Sequence, residues 1–185
     1  MSFFNLYEHN FIRLAVGVPE LRVADPAFNA ARTLELLKSA HDRRSALALF
    51  PELGLSAYSC DDLFQQQALL DGVLAGLETI RKASERLMPV AVVGLPLRVG
   101  GQLYNCAAVV HRGRVLGVVP KTFLPGYREF YEFRHFTPGD CATDREIDVN
   151  GVRVPFGTRL LFAAEDQPLL VFAIEICEDL WTPIP

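Results

Sequence analysis

The chain has 185 residues, half of them hydrophobic and 22% charged, with a formal net charge of −4. That length suits one domain with a sizeable core, and an acidic balance without a basic run argues against nucleic acid or an anionic membrane as main partner. The opening "MSFFNLYEHN" lacks the features of a secretory leader, and no apolar run approaches the roughly 20 residues of a spanning helix, so a soluble, cytoplasmic protein is expected.

The first predicted element is a strand over Phe11–Val18. A helix follows, with Asp25 as N-cap, Pro26 at the first position, where its missing N–H does no harm, and Leu34 and Leu37 at helical spacing. "ALALF" reads as a short buried strand closed by Pro51. Residues 61–88 then read as one long helix, capped by Asp61 or Asp62, with Leu70, Val73, Leu77, Ile80 and Leu87 on one face.

Three apolar runs come next, "PVAVVGLPLRV", "LYNCAAVVH" and "RVLGVVPK", separated by Gly100-Gly101 and Arg112-Gly113. Those turns predict an antiparallel meander. A polar, aromatic loop runs from about Thr122 to Asp140, and "VRVPFG", "TRLLFAA" and "PLLVFAIEI" are further strand candidates. The order predicts an α/β layered domain with helices on one side of a mixed sheet. The last strand is apolar on both faces and calls for a sheet covered on both sides. Nothing after it supplies the cover, so a truncated chain, or one completed by another segment, is expected.

Cys60, Cys106, Cys141 and Cys177 are far apart with no C-x-x-C pair. The spacing favours neither structural zinc nor a disulfide framework, and most of these thiols are expected to be small core hydrophobes. Cys177, in "IEICEDLW", is the candidate exception: a thiol at a strand exit projects into the crevice where α/β sheets bind ligands. A nucleophilic role needs a base within reach. His9, His41 and His111 read as surface residues, whereas His135, in "EFRHF", lies in a plausible site loop. Glu52, in "FPELGLSAY", follows a buried strand and could shuttle a proton. Lys121 ends another and could donate to a developing oxyanion. Each also has a plainer reading: a buried structural Cys, a solvated turn acid, a surface lysine. Parallel strands ending at one edge would bring the three together.

In that order Glu52, Lys121 and Cys177 resemble the Glu-Lys-Cys triad of the nitrilase (carbon–nitrogen hydrolase) superfamily. The segments "FPELGLSAYSCDDLF", "KTFLPGYREFYEFRHF" and "ICEDLW" resemble the N-terminal glutamine amidotransferase (glutaminase) domain of glutamine-dependent NAD synthetases. The resemblance implies a nitrilase-like α-β-β-α sandwich, of which residues 1–185 are an N-terminal part, with the rest of the domain and a synthetase domain elsewhere in a longer chain. It implies Glu52 as base and acid, Cys177 as nucleophile, Lys121 as oxyanion donor and Glu132 as the acid that orients the lysine, with Glu129 close enough to compete for that role. Tyr127, Glu178 and Tyr58 are implied as substrate-binding residues.

The implied partners are glutamine, the synthetase domain and further copies of the chain. No metal or cofactor is implied for the glutaminase part; ATP and Mg2+ are implied for the synthetase domain. Three rivals remain: a free-standing amidase or nitrilase acting on another small amide, a Cys–His hydrolase using His135, and a non-catalytic fragment.

Overall fold

The computed structural model describes residues 4–183. Strands β1 (Leu14–Val16), β2 (Leu47–Leu49), β3 (Val90–Val99), β4 (Gln102–His111) and β5 (Arg114–Pro120) form one sheet in chain order. β1, β2 and β3 are parallel; β3–β4 and β4–β5 are antiparallel. β5 therefore runs in the same direction as β2, so both deliver their following residues to one edge although two strands intervene; the segment before Cys177, expected to join them as a third parallel strand, lies outside this sheet.

The meander is built by its turns. Gly100 and Gly101 have φ of +55° and +84°, and Arg112 and Gly113 have +46° and +76°. Positive φ at both central positions is the geometry that matches a hairpin's twist.

Helix α1 (Pro26–Asp42) starts as predicted, with the Asp25 carboxylate accepting the Phe28 N–H at 3.1 Å. Helix α2 (Gln67–Ser84) starts later than predicted. Residues 61–65 form a separate 3-10 turn, and Gln66 is extended and caps α2 without a side-chain bond. The predicted caps are otherwise engaged: Asp62 takes a bidentate ion pair from Arg134 at 2.8 and 2.9 Å, and Asp61 sits at φ +46°. The helix's apolar face is as predicted, with Leu70, Val73, Leu77 and Ile80 buried and Leu87 packed at its margin. Full burial of a side chain of this size contributes about 1.5–3 kcal/mol.

The two helices and one face of the sheet enclose the larger core, which includes Leu37, Leu77, Val93, Leu95 and Val118. A smaller cluster lies on the other face, where Val92, Ala107, Val109 and Val119 meet Phe162 and Ile176.

The C-terminal strand prediction needs correction. Only Val171–Phe172 (β9) pairs, with Phe162–Ala163 (β8), outside the five-stranded sheet. The segment is not buried on both faces. Phe172, Ile174 and Ile176 turn toward the sheet while Val171, Ala173 and Glu175 are exposed. On the other side Leu169 and Val171 remain exposed. "VRVPFG" behaves as predicted: Val152–Pro155 (β7) pairs with Glu146–Val149 (β6) in a small hairpin.

Candidate active site

Glu52 follows β2 at a tight turn pressed against β3. The N–H of Phe50 donates to the Val92 carbonyl at 3.0 Å, and that of Leu55 to the Gly94 carbonyl at 3.1 Å. Gly94 makes this approach possible: a Cβ there would lie 2.5 Å from Leu53 N and 2.8 Å from Glu52 Cα. Lys121 follows β5, its N–H bonded to the Asn105 carbonyl at 2.8 Å.

The two side chains meet above the sheet edge. Lys121 Nζ donates to Glu52 Oε1 at 2.7 Å and to Glu132 Oε1 at 2.8 Å. The lysine side chain is fully buried, as is nearly all of Glu132. Tyr58 Oη donates to the same Glu132 oxygen at 2.7 Å, and Asn105 Nδ2 donates to Glu52 Oε1 at 2.6 Å. Glu132, rather than the exposed Glu129, is the second acid on the lysine.

Burial alone would lower the Lys121 ammonium, but the two carboxylates outweigh it and hold the group above its ordinary value. Burial raises the Glu132 carboxyl against the opposing donors Lys121 and Tyr58. Burial and then Glu132 push the Tyr58 hydroxyl far up, which keeps it a proton donor in this network.

Cys177 adjoins this trio. It opens a 3-10 turn, Cys177–Trp181, at φ +51°, a backbone state that an L-residue adopts only when its surroundings enforce it. Partial burial raises the thiol above its usual range. The Glu52 charge adds to that, Lys121 pulls the other way, and Glu132 and a hydrogen bond to Glu52 add further.

The turn is enforced by Asp179, a nearly buried acid. Its Oδ1 accepts the N–H groups of Thr122 and Phe123 at 3.1 and 2.8 Å, and its Oδ2 accepts that of Ile176 at 3.1 Å. The carboxylate ties the residues after Lys121 to the residue before Cys177.

Tyr127 and Glu178 also meet, with the phenol donating to Oε2 at 2.9 Å at an exposed position. Among the described hydrogen bonds, His135 has none to the thiol. Its ring lies against Phe64 and Phe136, with centroids 5.6 and 6.2 Å away. His41 and His111 are half-buried rather than on the surface, and His41 Nδ1 accepts the Met88 N–H at 3.0 Å. Cys60 and Cys106 are buried as expected, but Cys141 is exposed. Among the described residues no group of three or more His, Cys, Asp or Glu could hold a metal ion, and no helix is long and apolar enough to cross a membrane.

Asn105, Asp179 and Gly94 are not among the sequence candidates. Each leaves a signal: an amide inside the apolar run "LYNCAAVV", an acid two residues past the candidate thiol, and a glycine in the middle of "AVVGLPL".

The fold and this cluster define a class: an α/β protein in which a thiol stands beside a buried lysine held between two carboxylates. The chain belongs to the carbon–nitrogen hydrolase family, whose model spans residues 13–184. It is 49% identical over its whole length to a glutamine-dependent NAD(+) synthetase from Mycobacterium bovis, and spans 27% of that relative. The structure of a glutamine-dependent NAD(+) synthetase from Cytophaga hutchinsonii superposes with a TM-score of 0.82 at 28% identity, over 91% of this chain and 28% of that one. An amidase from Nesterenkonia sp. shares the fold, with a TM-score of 0.58 at 23% identity over 77% of this chain and 53% of its own.

Proposed function

We propose that residues 1–185 are the N-terminal part of the glutamine-hydrolysing domain of a glutamine-dependent NAD(+) synthetase. The whole-chain identity of 49% to such a synthetase carries this reading, and a thiol placed beside the Glu52–Lys121 pair supplies the chemistry it requires.

In this mechanism Glu52 takes the proton of Cys177, and the thiolate attacks the side-chain amide carbon of glutamine. Lys121 and a backbone N–H beside Cys177 hold the oxyanion. Glu52 returns the proton to the leaving ammonia, then activates the water that cleaves the thioester and frees glutamate. Glu132, itself held by Tyr58, positions the lysine, and Tyr127 with Glu178 receives the substrate at the open side. The glutaminase step needs no metal or cofactor. Ammonia passes to an ATP- and Mg2+-using synthetase domain of the same longer, cytoplasmic, homo-oligomeric protein, which amidates deamido-NAD.

The test uses the full-length protein and its Cys177→Ala variant. The variant is expected to lose glutamine-driven NAD formation and glutamate release while keeping ammonia-driven synthesis. Glutamate release that survives the substitution would overturn the mechanism. Faster turnover of another small amide than of glutamine would favour a free-standing amidase.

A further inference from the structure

Asn105 sits within β4 with no exposed surface, in a strand whose neighbours on either side are apolar. A buried amide is kept where its hydrogen bonds matter. Its Nδ2 reaches Glu52 Oε1 at 2.6 Å, and its backbone carbonyl accepts the Lys121 N–H at 2.8 Å. The residue thus touches both members of the ion pair. Lys121 Nζ donates to that same Glu52 oxygen. Two donors on the one oxygen restrict the rotation of the carboxylate. Both described hydrogen bonds to Glu52 end on Oε1, and the Cys177 thiol is a third group within hydrogen-bonding reach of the carboxylate.

We propose that Asn105 is a positioning residue for glutamine hydrolysis: with Lys121 it occupies one oxygen of Glu52 and so turns the other toward Cys177. Lysine alone could hold either oxygen, because its ammonium carries three equivalent donors and imposes no plane. The amide removes that freedom, so the proton leaving Sγ meets Oε2 in one geometry. The consequence for turnover rests on the glutaminase reading; the placement of Asn105 against Glu52 does not.

A double-substitution cycle in the full-length protein tests this, read by iodoacetamide labelling of Cys177 with the modified peptide identified by mass spectrometry. Asn105→Ala is expected to slow labelling about tenfold at neutral pH, part of the 10²–10⁴-fold range of general-base assistance. In the Glu52→Gln background the same change is expected to alter the rate less than about twofold, because the residue it acts through is gone. A merely structural Asn105 would cost the same in both backgrounds, and that result, or no loss beside an intact Glu52, overturns the proposal. Asn105→Ser, whose hydroxyl is too short to reach the carboxylate, gives the same cycle should the alanine variant fail to fold.

Glutamine kinetics run in parallel: kcat is expected to fall about tenfold with KM within about threefold, since the amide acts on the base and not on substrate. Coupled labelling losses in a parent protein that hydrolyses no glutamine would end the glutaminase reading and leave the Asn105 assignment standing. Additive losses beside normal glutamine hydrolysis would do the reverse.

Discussion

The Asp179 carboxylate accepts the backbone N–H of Phe123 at 2.8 Å, across 56 positions of sequence, and so clamps the cysteine turn to the chain leaving Lys121. The other described polar tie between these two segments, from Tyr127 to Glu178, lies at an exposed position. Asp179→Ala would leave three N–H groups without their acceptor, and loss of bonds to a charged group in a buried site costs about 3 kcal/mol or more. Urea denaturation is expected to show that loss, with slower labelling of Cys177 in the fraction that stays folded. Unchanged stability and labelling would show that the clamp is dispensable.

Gly94→Ala tests the seat of the base. The obstacle to a methyl group is the backbone of Leu53 and Glu52, which cannot swing aside as a side chain would. Overpacking of this kind costs about 1–3 kcal/mol. Glutamine hydrolysis is expected to fall with the midpoint of denaturation, because any relief displaces Glu52. A variant with parental activity and stability would mean the turn has slack.

Lys121→Met removes the cation between Glu52 and Glu132. Breaking a buried pair at one partner costs about 3–5 kcal/mol, and loss of an oxyanion donor about 10²–10³ in rate. Adding Glu132→Gln to that variant is expected to recover stability, by neutralising one stranded acid, without recovering turnover. Recovery of both would deny the ammonium a role in the chemistry.

The pH dependence of Cys177 labelling has a defined sign. Partial burial, and then the Glu52 charge, hold the thiol above its usual range, so at any given pH it holds less thiolate than an ordinary cysteine, whose pKa is ~8.5. Iodoacetamide labelling is therefore expected to be slower than that of an exposed cysteine peptide at neutral pH, and still rising past pH ~9. A plateau below that range would contradict it. Lys121 is the charge that lowers the thiol, so Lys121→Met is expected to move the rise to still higher pH.

The meander and the α1 cap were legible because they depend on local rules: paired turn residues with glycine, and an aspartate before a proline. The α2 start was not, because Asp62 is taken by Arg134, a partner 72 residues away that no local window includes. Glu52, Lys121 and Cys177 stood out as reactive groups after apolar runs, and family resemblance ordered them. Asn105 and Asp179 did not stand out: both act through bonds to the backbone or to another side chain, and such roles depend on which strands lie side by side. The apolar run before Cys177 read as one long strand because hydrophobicity records affinity for cover, not backbone pairing, and only Val171–Phe172 pairs.

The trio beside the sulfur holds one ammonium and two carboxylates. A neutral carboxamide can enter such surroundings without electrostatic penalty, whereas the acid formed when its nitrogen departs is an anion. On the glutaminase reading, the excess of acids expels the product it helps to make. Repulsion from those acids, against the pull of Lys121, then favours release of glutamate after the bond is cut.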